Sequence, residues 1–255
     1  MKYNWLLLTA GFGSSDMESA ALRVKKQGED LGIFEAVVAV TNVDLAVSCP
    51  QMYSKYSDYL NSSHKGFGYF SWKIELVHRA LAGAFGEFDG VVWVDAGCEI
   101  NNTLISKWRL RKWLRKTKKK GTFLFSLDTP ERDFTKKLAF SEFPDLSAED
   151  SSPQIQATWF ILSGDLGRRI TSRWLEVSLK GIEFLDLTSS PGGEREGFVE
   201  HRFDQSILSL TAKSQGVRTV RYVPKSARIG ALSALRGELH PIWTTRNRSG
   251  DSVLD

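Results

Sequence analysis

Hydrophobic positions in this chain alternate between short unbroken runs and longer stretches of helical period. Residues 4–10 form a first apolar run, residues 17–31 carry a helical pattern that Gly32 is placed to cap, and Phe34–Val40 form a second run. This β-α-β order predicts a right-handed parallel pair with a ligand-facing loop after the first strand. Residues 41–64 show no period beyond a short helix near Met52–Leu60, and from Phe70 the apolar positions Leu76, Val77, Ala80, Leu81 and Ala84 recur along one helical face. Gly90–Val94 is wholly apolar and stops on Asp95-Ala96-Gly97-Cys98-Glu99, the pattern of a strand buried on both sides. A helix over Leu104–Lys120 ends at Gly121. Strands follow at Thr122–Leu127 and Gln154–Leu162, with a polar loop over 128–137 and an acidic connection over 141–153 between them. Next come a helix over Leu166–Leu179, a loop over Thr188–Gly197, a helix that Asp204 would N-cap and Gly216 would close, and a last strand at Val217–Val223. The succession predicts a single α/β domain, a mostly parallel central sheet flanked by helices.

Charge changes this picture at one place. The formal net charge of the 255 residues is +4, yet Lys107–Lys120 holds nine bases in fourteen positions and no acid. Outside that segment 25 bases face 30 acids. The stripe Leu110, Trp113, Leu114 and Thr117 suits a helix resting on an anionic membrane surface, or one packed shallowly on its own domain. No helix-turn-helix, zinc or RNA-binding pattern accompanies it, so nucleic acid is not expected. Two cysteines, Cys49 and Cys98, make no disulfide framework, and no apolar stretch approaches the roughly 20 residues that span a bilayer. The expected location is cytoplasmic, with peripheral contact at the inner membrane face.

Candidate chemistry gathers at three places. Asp95 ends a buried strand, where α/β sheets hold their ligands, and Gly97 leaves room beside it. Lys73, with Tyr69 and Trp72, stands at a helix start, a position that disfavours a cation unless an anion is near. Glu200-His201-Arg202-Phe203-Asp204-Gln205 packs more ionisable and amide groups than a helix cap needs. The Gly11-x-Gly13 pair lacks the third glycine of a dinucleotide fingerprint, its place being taken by Asp16, whose charge is wrong for a pyrophosphate.

Taken together, Gly66-x-Gly68-Tyr69-x-x-Trp72-Lys73, Asp95-Ala96-Gly97-Cys98 and Arg202-Phe203-Asp204-Gln205-Ser206 resemble the motifs of bacterial glycosyltransferase-like proteins of the GT-A type. The resemblance spans roughly residues 6–248. It implies transfer of a sugar from a nucleoside-diphosphate donor to a hydroxyl of a saccharide or lipid-linked acceptor, in cell-surface polysaccharide or glycolipid synthesis. It further implies a donor-binding half over about 1–103, an acceptor-binding half over about 121–245 and a polar tail over 246–255. Donor contacts would come from Thr9, Ala10, Gly11, Lys65, Tyr69, Trp72, Lys73, Asp95, Ala96, Gly97 and Arg246. Asp204 would act as base if configuration inverts, with Glu200 and His201 in reserve, or would contact the sugar with Gln205 if it is retained. The family's D-x-D motif has a second carboxylate where this chain has Gly97. Asp95 with Glu99 and His240 is therefore the candidate set for Mn²⁺ or Mg²⁺. Without a metal, the departing diphosphate would be met by Lys65, Lys73, Arg202 and Arg246.

Overall fold

The computed structural model describes residues 3–222 and 240–248. In chain order it contains β1 (Tyr3–Ala10), α1 (Ser15–Leu31), β2 (Phe34–Val40), the short helices α2 (Leu45–Ser48) and α3 (Pro50–Tyr56), a turn labelled α4 (Gly66–Tyr69) and α5 (Ser71–Leu81). There follow β3 (Gly90–Val94), β4 (Glu99–Ile100), α6 (Leu104–Lys120), β5 (Thr122–Phe123), β6 (Phe125–Pro130), α7 (Glu131–Phe134) and α8 (Lys137–Phe140). The described chain continues with β7 (Pro153–Ile155), β8 (Trp159–Ser163), α9 (Gly164–Ser178), α10 (Phe203–Ser214), β9 (Val220–Arg221) and β10 (Ile242–Trp243).

Five strands form the central sheet in the order β2-β1-β3-β8-β5. β2, β1 and β3 are parallel, and β8 runs against both β3 and β5, so four of the five point one way. The two-residue alternation of a strand distributes β1 between two cores. Leu6 and Leu8 pack with Ile74, Val77, Ile170, Trp174 and Ile207, from α5, α9 and α10. Trp5 and Leu7 pack on the other face with Val24 and Leu31 of α1 and Leu110 and Leu114 of α6. Both faces are thus covered, and every residue of β3 is buried. A second small sheet, β7-β6-β9, and the pair β10-β4 extend the edges.

Several expectations are revised by tertiary structure. The strand expected over 122–127 is divided at Leu124: Thr122 and Phe123 join the central sheet, whereas β6 pairs with β7 and β9 and takes in the start of the expected polar loop. The strand expected over 154–162 is split at 156–158, whose backbone groups bond to residues outside the central sheet's strand ladder. The last strand shortens to Val220–Arg221, and Val223 lies outside the described residues, as do 249–255 of the expected tail. Residues 246–248 of that tail are described, and Asn247 is firmly tied by hydrogen bonds. Of the two settings expected for the apolar stripe of α6, packing on its own domain is the one found: Leu110, Leu114 and Thr117 are buried, and Trp113 stacks on Phe123 at 4.8 Å. No helix of the described residues is long and apolar enough to cross a membrane, and both cysteines are buried free thiols.

Gly11 shows how tightly the β1–α1 connection is built. A Cβ there would lie 1.9 Å from the Met17 carbonyl oxygen, so the first turn of α1 sits directly against the loop. Gly11→Ala should cost roughly 1–3 kcal/mol of unfolding free energy, read from urea melts. A variant as stable as the parent would show that the loop relaxes freely.

Candidate functional site

The site grows from the carboxyl end of β3. Asp95 leaves the sheet with its N–H donated to Thr158 O, and its own carbonyl accepts from Cys98 N, which turns the chain sharply. Beside it, α5 begins at Ser71 and carries Lys73 in its first turn, where the sequence demanded an anion. The anions prove to be the protein's own. Lys73 Nζ lies 2.9 Å from Asp95 Oδ1 and 2.9 Å from Asp204 Oδ2, and it donates to Ala157 O at 3.3 Å. Trp93 Nε1–H also donates to Asp95 Oδ1, at 2.7 Å.

Burial opposes the charge on Lys73, but Asp204 and Asp95 outweigh it and raise its pKa above the ordinary lysine value. For Asp204, burial is the leading effect, and it pushes the carboxyl up to about 6, with Lys73 pulling down and Asp95 pushing up. Asp204 is not the N-cap expected of it. α10 starts at Phe203, with Arg202 in the cap position, so Asp204 lies inside the first turn and turns inward to Lys73. The two aspartates differ in access: the Asp95 side chain is 28% exposed and that of Asp204 only 5%.

The segment before α5 has the most unusual backbone among the described residues. Gly66, Phe67, Gly68, Tyr69 and Phe70 all have φ between 53° and 89°, a continuous left-handed turn, and Phe203 opposite has φ 50°. Non-glycine residues pay about 1–2 kcal/mol each in this region, and such strain concentrates where function or packing over-determines the chain. Here the turn presents Tyr69, stacked on Phe203 at 5.6 Å, while Lys65 Nζ stands 4.9 Å over the same Phe203 ring. The other face of the turn is core. Trp72 is buried, donates Nε1–H to Gly66 O and packs edge-on to Phe12, so it is a support for the turn and not a ligand contact.

Other expected site residues are dispersed by the fold. Thr9 and Ala10 are buried in the sheet, Gly11 is filled by α1, and Ala96 packs on Ala20 and Ala21 of that helix. Gly97 faces the chain's own Arg246 and Asn247. Arg246, with φ 59°, is exposed beside it and electrostatically repels Arg202. Arg202 in turn lies over the Phe134 ring at 3.7 Å and bonds Thr129 and Gln154, while Glu200 is exposed and 3.5 Å from its Nε. Gln205 is occupied in positioning: its Oε1 accepts from Ala157 N and its Nε2 donates to Gln154 Oε1.

The expected metal set does not assemble. Glu99 is fully buried and paired with Arg23 at 2.7 Å, with Gln27 and Asn247 donating to it as well. His240 donates Nδ1–H to Ile242 O inside a ring of Trp113, Phe125, Trp159 and Tyr222. Asp95 itself already has an ammonium in contact. No cluster of three metal-ligating side chains occurs among the described residues. Among the described residues, the donors of the expected set do not fit a divalent cation. His201 is also withdrawn from chemistry, since its Nδ1 accepts from Lys136 N and its Nε2–H donates to Phe184 O.

Three contributors escaped the sequence reading: Trp93, the 156–158 kink and Arg23. Trp93 is the only one with a local signal, being two residues before Asp95 in a strand and so on the same side of it. Arg23 sits among the apolar positions of α1 and reaches across to bond Cys98 O, Ala96 O and Asn247 O, clamping the loop that carries Asp95. Beyond the ends of β1 and β2 there is a hollow of about 460 Å³ lined by Gly13, Asn42, Tyr53, Asn61 and Phe67. A larger one, about 590 Å³, lies between residues 142–145 and α9, with no member of the lysine–aspartate cluster in its wall.

No family model and no curated protein matches this sequence. Among solved structures, the chain is similar to a glycosyltransferase involved in the glycosylation of the major capsid of PBCV-1, at 11% identity and a TM-score of 0.45, with 94% of this chain and 92% of that chain covered. It is also similar to mouse xyloside xylosyltransferase 1 in its apo form, at 10% identity and a TM-score of 0.47, with 96% and 97% covered.

Two outcomes are expected from the buried charges. Arg23→Met should destabilise the fold by about 3–5 kcal/mol by removing the arginine that answers the buried Glu99, and adding Glu99→Leu should recover most of that loss in denaturant melts. A single variant no weaker than the double would refute the pairing. Burial lowers His201 to about 3 and His240 to about 4, below the unfolded value near 6.5. Their contribution is therefore full above pH 6.5 and is lost as pH falls towards those values, roughly 2 kcal/mol each at pH 5. Urea midpoints at pH 8 and pH 5 test this, and equal stability at both would count against neutral buried imidazoles.

Proposed function

We propose that the chain is a glycosyltransferase that moves a sugar from a nucleoside-diphosphate donor to an acceptor hydroxyl, in polysaccharide or glycolipid synthesis. The observation that carries this reading is the meeting of Lys73, Asp95 and Asp204 within 3 Å contacts, one residue from each of three separate motifs that resemble those of sugar transferases. The cluster suits the chemistry. With both carboxylates ionised it bears one net negative charge, favourable to the positive charge that develops on the sugar carbon during transfer. Asp95, the more open carboxylate, would touch the donor, and Asp204 would take the acceptor proton from within the site. Tyr69 and Phe203 offer an aromatic wall beside them.

The departing diphosphate carries the opposite charge and needs cations. Lys65 over the Phe203 ring, Arg202 two residues before Asp204 and Arg246 beside Gly97 would supply them without a metal. The hollow beyond β1 and β2 is the position open to the nucleoside, at the carboxyl ends of parallel strands. A dinucleotide at the start of α1 would instead meet Asp16 and Glu18. A second reading, a catalytically inactive sugar-nucleotide-binding protein, is favoured by the near-complete enclosure of Asp204. Turnover separates the two.

A thermal-shift screen of nucleoside-diphosphate sugars should find a stabilising donor, and release of the diphosphate should persist in EDTA. Asp95→Asn should lower that release about a hundredfold with the fold intact. Because Asp204 titrates near 6, its base form is lost below that pH, so the rate should climb between pH 5 and 7. That limb should disappear in Asp204→Asn. Failure of every donor to bind would end the proposal, and dependence on added Mn²⁺ would end its metal-free form.

A further inference from the structure

We propose that the outer face of α6 docks on an anionic lipid surface. The inward stripe of this helix is fully used, with Ser106, Leu110, Leu114 and Thr117 buried against the sheet. At 100° per residue the opposite side carries Leu104, Ile105 and Trp108 in its first turns, then Lys112, Arg115 and Lys119 along the rest. The three apolar side chains are 85%, 48% and 56% exposed, an arrangement water alone does not reward. The helix contains no acid that could pair with its bases, and Lys118 is joined to Asp89 at its far end.

Each half of the face narrows the partner. Cations at the carboxyl-terminal end of a helix are favourable in water through the helix dipole, so Lys118–Lys120 by themselves say little. A phosphate polymer would be served by the cations and would leave Leu104, Ile105 and Trp108 in water. A bilayer surface serves both, with tryptophan and aliphatic side chains entering the headgroup boundary and lysine and arginine meeting lipid phosphates. α6 begins four residues after β4 on the Asp95 side of the sheet, whereas Gly121 closes it near the other end, where Ser163 N bonds Gly121 O. The apolar end of the face therefore shares a rim with the lysine–aspartate cluster. This docking stands whether or not the chain transfers sugar; if it does, the rim places a lipid-linked acceptor within reach.

The test is flotation of the full chain with vesicles of phosphatidylcholine alone and of phosphatidylcholine mixed with phosphatidylglycerol. Binding is expected to the mixed vesicles at low salt, with release as salt approaches about 1 M, where charges are screened beyond about 3 Å. The pair Leu104→Ser/Trp108→Ser should weaken binding about tenfold, and Lys112→Glu/Arg115→Glu/Lys119→Glu roughly a hundredfold. Unchanged melting midpoints and far-ultraviolet circular dichroism ensure that the variants remain folded. Equal partition onto both vesicle types, or no effect of the Leu104/Trp108 pair, would overturn the proposal. So would tighter binding to a DNA duplex than to the anionic vesicles.

Discussion

One buried ammonium group holds the centre of this molecule together. Taking a lysine out of water is unfavourable unless its charge is answered at close range, and Lys73 is answered by two aspartates and a carbonyl. Those partners arrive from the end of β3, from the kink between β7 and β8 and from the first turn of α10. The kink interrupts what would otherwise be one long strand, and it gives Lys73 a carbonyl and Asp95 an acceptor for its N–H. α10 opens on a left-handed Phe203, and Asp204 in its first turn faces inward to Lys73. Local irregularities that look unrelated in the chain thus meet at a single charge.

The left-handed turn before α5 belongs to the same account. Its strain is supported on one side by Trp72, bonded to Gly66 O, and on the other by the aromatic contact of Tyr69 with Phe203. Glycine at 66 and 68 is enforced both by φ and by space, since a Cβ would meet the Phe70 ring at one and Leu60 at the other. The turn therefore delivers Lys73 into the interior while leaving Tyr69 and Lys65 at the surface of the crevice.

The layered α/β framework was legible because its determinants are local. Gly32 caps α1, β3 is apolar throughout, and Gly121 closes α6, and each of these stands in the chain beside the element it shapes. Lys73 could be singled out for a similar reason, as a cation at the wrong end of a helix. The metal set could not be judged in that way. Glu99 is beside Asp95 in sequence, but β4 turns it towards α1, where Arg23 waits; the local spacing carries no record of an arginine so far upstream. His240 is likewise claimed by an aromatic enclosure whose members come from α6, β6, β8 and the segment after β9. Which of Trp113 and Trp108 is covered is not written locally either, since both are apolar residues of one helix; only the position of the sheet decides it.

The clamp on the Asp95 loop spans almost the whole described chain. Arg23 bonds Asn247 O, and Asn247 bonds Gly97 O and Glu99. A ribosome delivers these partners in strict order, so Arg23 and Glu99 emerge long before the residue that completes their network. Until Asn247 is available, the loop is held by fewer bonds, and the crevice lacks Arg246 at its edge. Completion of the site is therefore coupled to the synthesis of residues 246–247, and a nascent chain carries its acidic pair before it can present the finished crevice.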